Sequence, residues 1–542
     1  MRVSAVFALV IPVAVVVQVL VEGARWPMAP AYAMAAALTG LWARRAVTTV
    51  RALPRLRPAR PRAGTVLGPV VMVVVMVVVM VVVMVVAVTV PLLLPVFRFP
   101  RPTGPHGVGT LTYHWTDHSR REILGPDPRA PRELMAQIWY PALADPSAPR
   151  ASYVQDGPIA DGIARLLGAP GVTFQHLRQV RTNAVADAAA APGRHPVLVF
   201  LTGAQGFRQS NTFEAEELAS HGYVVAALDQ PYTAAAVTFP GGRTVQALPR
   251  DRMSALIEQS LTPAATPPVL HGRAFPEGLI PHLARDVPFA LDRLSDLDRA
   301  DPRQVLTGRL DVARAGVFGV SLGGIVAPLA ANLEPRLRAA LVMDARMTAD
   351  VVRNGMRTPA MWLTRDAATM RREGWDEAEI EQHQTTMRAV YEKRPADGYF
   401  ITMPDTFHLD YTDATAWSPL IGMLGSSGPI GAERAHTIIN AYTVAFFDTY
   451  LKDTHPALPV FSGVRAETTP ASSRTPAPTA PDNQGRTSRP AGALMTLPAG
   501  KKAKGTTHPP LPSRRGAMGC SGETSGKKVR RARRRRGRRH PR

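Results

Sequence analysis

The stretch that most restricts what this chain can fold into is residues 315–332, which read AGVFGVSLGGIVAPLAAN. The run through Gly316 and Phe318 has the apolar character of a buried strand, and residues 322–332 continue as a helix. Between them lies Gly319-Val320-Ser321-Leu322-Gly323, a G-x-S-x-G sequence set at the strand-to-helix turn that such a motif requires. A turn this sharp leaves no room for a side chain at either glycine. It lifts the Ser321 hydroxyl above the helix N-terminus, where the helix dipole and free amides favour developing negative charge. Ser321 is the expected nucleophile.

The residues around this turn supply a matching frame. From about residue 109 to 467, short β-branched runs alternate with helical stretches, the pattern of a mostly parallel sheet covered by helices. Strands are expected at 196–201, 223–228, 339–343, 360–364 and 399–403, and helices at 212–220, 375–393 and 432–451. With the serine turn, this reads as an α/β-hydrolase fold. A serine hydroxyl needs a base, the base needs an orienting acid, and in this fold they follow along the chain as Ser, acid, His. His383 falls in the polar helix 375–393 and His436 in the helix 432–451. His408 follows a strand end and the Pro404-Asp405 turn, which is where a catalytic histidine is expected. Two acids compete for the third place. Asp344 ends the strand after the nucleophile's helix, and Asp366 ends the next strand, the more usual position in this superfold. Asp410 and Asp413 read as cap or turn residues, and His221, just before Gly222, as a helix C-terminal residue. No H-E-x-x-H or similar ligand spacing appears, and Cys520 is the sole cysteine, so no metal or organic cofactor is expected.

Charge is distributed very unevenly. The formal net charge is +22 over 542 residues, yet residues 1–62 hold nine basic and one acidic residue, and residues 468–542 hold nineteen and two. The stretch between them carries 36 basic against 39 acidic residues. A nucleic-acid-binding function for the whole protein therefore has little support. Three apolar runs, at 3–21, 26–42 and 66–97, read as two to three transmembrane helices, because a bilayer core needs about 20 apolar residues of helix. Seven arginines between the second and third runs make that loop cytoplasmic by the positive-inside rule. Everything after residue 97 is then expected outside the cytoplasm. The expected organisation is a membrane region over 1–97, a hydrolase domain over 98–467 and a disordered basic Pro/Arg-rich tail over 468–542. Membrane lipids are its expected surroundings, and no specific nucleic acid is expected.

Further segments carry a resemblance. VLVFLTGAQGFRQS, ELASHGYVVAALD, GVFGVSLGG, ALVMDARM, GYFITMPDTFHLDYTD and INAYTVAFFDTYLK together resemble platelet-activating-factor acetylhydrolase type II and its bacterial relatives. The resemblance spans roughly residues 109–452. It implies a serine esterase acting on short acyl or phospholipid esters, with the acid one strand after the nucleophile. That acid corresponds to Asp344, in Met343-Asp344-Ala345, whereas cutinase-like hydrolases of longer or polymeric esters would favour Asp366. It also implies an oxyanion hole from the Leu322 and Ala204 amides. Relatives commonly carry His-Gly before the second donor, where this chain has Thr202-Gly203. A non-catalytic membrane protein on a hydrolase fold is the alternative from another class.

Overall fold

The computed structural model describes residues 89–262, 267–393 and 396–470, with scattered positions before residue 89. The three apolar runs lie mostly outside the described residues, as does the tail beyond 470. Among the described residues no helix is long and apolar enough to cross a membrane.

The core is one sheet of eleven strands. In chain order these are β1 (Gly107–Arg121), β2 (Pro131–Ala142), β3 (Arg150–Ser152), β4 (Arg181–Ala186), β5 (His195–Leu201), β6 (Val224–Asp229), β7 (Leu310–Val320), β8 (Leu337–Met343), β9 (Ala360–Thr364), β10 (Gly398–Thr402) and β11 (Arg465–Thr469). They lie in the order β11-β10-β9-β8-β7-β5-β6-β2-β1-β4-β3. The six from β6 to β10 run parallel, while β11 and β2 close this block antiparallel on either side. The last strand extends past the boundary expected at 467.

Every residue of β5, β6 and β9 is buried. These strands read as continuous apolar runs because helices cover both faces of a parallel sheet. Each buried Val or Leu contributes about 1.5–3 kcal/mol of transfer free energy. The covering helices include α1 (Thr212–Ser220), α2 (Asp286–Ala300), α3 (Leu322–Leu333) and α6 (Ala432–Leu451). Two further helices, α4 (Ala367–Glu373) and α5 (Glu377–Lys393), follow β9. The expected α1 and α6 coincide with the observed helices.

Helix α1 is buried along its whole length although it carries three glutamates. Glu214 accepts from the Thr443 hydroxyl at 2.9 Å and from Asn211 Nδ2 at 3.2 Å. Glu216 accepts from the Asn183 and Ala184 amides at 2.7 and 2.8 Å and from Asn183 Nδ2 at 2.8 Å. These donors are neutral. Burial accordingly pushes both carboxyls up to about 7, against the pull of their hydrogen bonds.

The chain enters the domain through an aromatic cluster. Phe97 and Phe99 pack edge-on at 5.1 Å, and both contact Tyr153. Tyr153 meets Phe207 at 5.9 Å, Phe207 meets Trp417 at 5.8 Å, and Trp417 Nε1 donates to the Tyr153 hydroxyl at 3.0 Å. Ser418 Oγ donates to the Leu93 carbonyl at 2.5 Å. The entering segment is thus fixed to the loop after β5 and to the segment that follows His408.

Candidate active site

Ser321 sits between β7 and α3 with φ 56° and ψ −119°, a conformation that non-glycine residues seldom adopt. The steric reason for its flanking glycines is direct. A Cβ on Gly323 would stand 1.9 Å from the Leu201 carbonyl oxygen, and one on Gly319 would stand 2.5 Å from the Gly323 backbone. Asp344, at the end of β8, also has positive φ at 44°, and so does Gln205 at 58° in the loop after β5. Backbone strain gathers where the surrounding structure over-determines it, and active sites are the commonest such places.

The same three segments converge. The Ser321 amide donates to the Met343 carbonyl at 3.0 Å, which sets the serine beside the residue that precedes Asp344. Gly203 lies against the serine, where a Cβ would stand 3.3 Å from Ser321 Cβ, so the backbone leading to Ala204 passes over the nucleophile's position. That loop is held by Gln205 donating its amide to the Thr233 carbonyl at 2.7 Å and its Nε2 to the Leu248 carbonyl at 2.9 Å. Thr202, in place of the histidine of relatives, bonds the Ser210 hydroxyl at 3.1 Å and supplies an anchor of its own. Leu322 opens α3 directly after the serine.

His408 Nδ1 lies 2.5 Å from Asp344 Oδ2. The other candidate acid is placed differently: Asp366 caps α4, accepting from the Thr369 amide at 2.8 Å. His436 stacks on Phe213 at 3.7 Å and bonds the Thr412 carbonyl, while His221 caps α1 next to Glu217.

Arg365, which the sequence reading did not single out, and His383, which it set aside in a polar helix, complete the surroundings of Asp344. Arg365, fully buried between β9 and α4, brings its Nε within 3.0 Å of Asp344 Oδ2 and 3.1 Å of Oδ1. Its Nη1 pairs with Glu373, whose Oε1 accepts the His408 amide at 3.0 Å. Its guanidinium lies 4.6 Å from the centre of the Trp375 ring, which also meets His408 and His383 edge-on at 5.7 Å each. His383 places Nε2 at 3.5 Å from Asp344 Oδ1. Burial would drive the Asp344 carboxyl upward, but the Arg365 guanidinium, with His383 and His408 beside it, holds it well below the usual carboxylate range. Burial also takes the His383 imidazole down to about 4, so this ring is neutral at physiological pH.

The helix expected at 375–393 turns one face into the domain and the other to solvent. Ile380, His383, Met387, Val390 and Tyr391 of α5 are buried. Their spacing of three and four residues marks one helical face, a signal present in the sequence. Arg365 carried no comparable signal: a single arginine after a strand gives no hint of a partner twenty-one positions earlier.

A family model for platelet-activating factor acetylhydrolase, isoform II, matches residues 95–259. That stretch includes the Gly203–Ala204 loop and stops before the serine. The platelet-activating factor acetylhydrolase of Cavia porcellus is 23% identical over 376 residues, covering 65% of this chain and 78% of that protein. The Gallus gallus enzyme is 21% identical over 377 residues, covering 66% and 84%. These matches support a place for the chain among platelet-activating factor acetylhydrolase II-like α/β hydrolases. A solved member of the wider fold, a ferulic acid esterase from Streptomyces cinnamoneus, superposes with a TM-score of 0.52 at 27% identity, covering 68% of this chain and 98% of that one. Like these acetylhydrolase and esterase relatives, the protein is an ester hydrolase.

Proposed function

We propose that this acetylhydrolase-like protein cleaves short acyl or lipid esters through an acyl-enzyme, with Ser321, His408 and Asp344 as its triad. The observation that carries this reading is the 2.5 Å contact between His408 Nδ1 and Asp344, reached from the strand next to the strained serine turn. A carboxylate on Nδ1 fixes the tautomer that leaves Nε2 free to act as a base.

In the first half-reaction, His408 Nε2 takes the Ser321 proton as Oγ attacks the ester carbonyl. The Leu322 and Ala204 amides hold the oxyanion of the tetrahedral intermediate. His408 then returns the proton to the departing alkoxide, leaving the acyl group on Ser321. Water repeats the sequence on the acyl-enzyme and releases the acid. Among the described residues Ser321 Oγ and His408 are not hydrogen-bonded to each other. Such contacts are commonly long in unliganded sites and tighten with substrate.

Hydrolysis of aryl-acid esters is a second reading, supported by the coverage of the ferulic acid esterase. A panel of phospholipid, p-nitrophenyl and hydroxycinnamate esters separates the two by kcat/KM. The mechanism itself is tested with a fluorophosphonate probe on wild type and Ser321→Ala. Labelling of the wild type alone is expected, and an unlabelled folded wild type would favour a non-catalytic protein. Separating membrane from soluble fractions in the same experiment examines the tether expected from the N-terminal apolar runs. Label confined to the soluble fraction would remove it.

A further inference from the structure

Two carboxylates flank His408, one on each side of its turn. Asp344 meets Nδ1 at 2.5 Å, and Glu373 receives the backbone amide at 3.0 Å. Both lie where water is largely excluded: Asp344 is 1% exposed, and the Glu373 side chain 13%. Two uncompensated negative charges this close would hold the imidazole as imidazolium, and an imidazolium cannot take the serine proton. The structure places a single cation against both. Arg365 contacts Asp344 through Nε and Glu373 through Nη1, and it stacks over Trp375. The contacts close into a ring: Asp344 to Arg365, Arg365 to Glu373, Glu373 to the His408 amide, and His408 Nδ1 back to Asp344.

We propose that Arg365 is a positioning residue of this site, bridging Asp344 and Glu373 and offsetting one of the two carboxylate charges that flank His408, so that the imidazole can serve as the base. The inference rests on the triad assigned above. The other titratable groups facing this cluster are His383, Tyr411 and Asp410. His383, from α5, is neutral because burial lowers it to about 4. Tyr411 is buried and pushed well above its ordinary value, so it too is neutral. Asp410, held by the Phe407 and Gly428 amides and the Ser427 hydroxyl, also faces Arg365 and is the same background in the wild type and in both variants below.

A residue of purely structural importance would lower the plateau rate without moving the pH profile. Arg365 predicts movement of the profile, with a sign. Arg365→Met leaves two carboxylates around His408, so the acid limb of kcat/KM should move up by roughly one pH unit or more. Glu373→Gln leaves the guanidinium and Asp344 balanced, so the limb should move down by about half a unit. Opposite shifts from two substitutions in one ring cannot come from general loosening. The experiment uses the full chain and p-nitrophenyl acetate between pH 4.5 and 9, with Ser321→Ala as reference. Acid limbs that coincide with that of the wild type in both variants would overturn the proposal. If Arg365→Met fails to fold, an unmoved limb in Glu373→Gln overturns it alone. Full turnover by Ser321→Ala would instead remove the triad, so the two failures are distinct.

Discussion

Asp344 and Glu214 are both buried carboxyls hydrogen-bonded by side chains, yet they are held in opposite states. Glu214 has a hydroxyl and an amide for partners, both neutral, and burial raises it to about 7. Asp344 is buried as completely, but a guanidinium lies 3.0 Å away and its carboxyl is held well below the ordinary range. Burial therefore does not decide whether a carboxylate is available to orient a histidine; the charge of its neighbour does. The helix with neutral partners is structural, and the strand end with the cation is where the chemistry is proposed.

The strongest way to break this contrast is to neutralise Asp344. Asp344→Asn keeps the shape but presents an amide to His408, and kcat should fall by about 10⁴-fold on the triad principle. A loss below tenfold on p-nitrophenyl acetate would mean that Asp344 is as structural as Glu214. The contrast also has a thermodynamic side with a defined sign. Glu214 is raised above its unfolded value, so its contribution to stability is fully present below about pH 4.5 and is lost as pH rises to about 7. Asp344, lowered by Arg365, contributes above the ordinary carboxylate range and loses that contribution in acid. Glu214→Gln should thus gain on the parent between pH 5 and pH 8, by about 3 kcal/mol at most, in urea unfolding followed at both values. An equal gap at the two pH values would show that the Glu214 carboxyl is not held protonated. The smallest effect belongs to Asp366. As a cap it should cost about 1 kcal/mol of stability on replacement by alanine, with kcat/KM within twofold of wild type. A loss of activity like that of Asp344→Asn would return Asp366 to the site.

How much of this was legible depends on where the determining contact lies along the chain. The serine turn could be read because its requirements are local, two glycines and a serine between a strand and a helix. The strands β5, β6 and β9 could be read because burial on both faces leaves an uninterrupted apolar run. The choice between Asp344 and Asp366 could not be made from local pattern, since both end a buried strand. The resemblance pointed to Asp344, and the three-dimensional placement sets that residue against His408 and uses Asp366 as a cap. Arg365 lay further out of reach, because its meaning comes from Asp344 after β8 and from Glu373 and Trp375 at the far end of α4. The face of α5 that carries His383 shows the intermediate case: its spacing is visible in the sequence, but not which partner that face meets.

The aromatic cluster at the entry to the domain bears on how such a protein can change over evolutionary time. A segment that merely connects two regions is free to be exchanged, lengthened or lost. Here Leu93, Phe97 and Phe99 are built into the packing of Phe207 and Trp417, which follow the Ala204 and His408 positions. A lineage that swapped the N-terminal region for another module would have to splice upstream of Leu93. A junction drawn at the first strand would instead carry off part of the support for both loops.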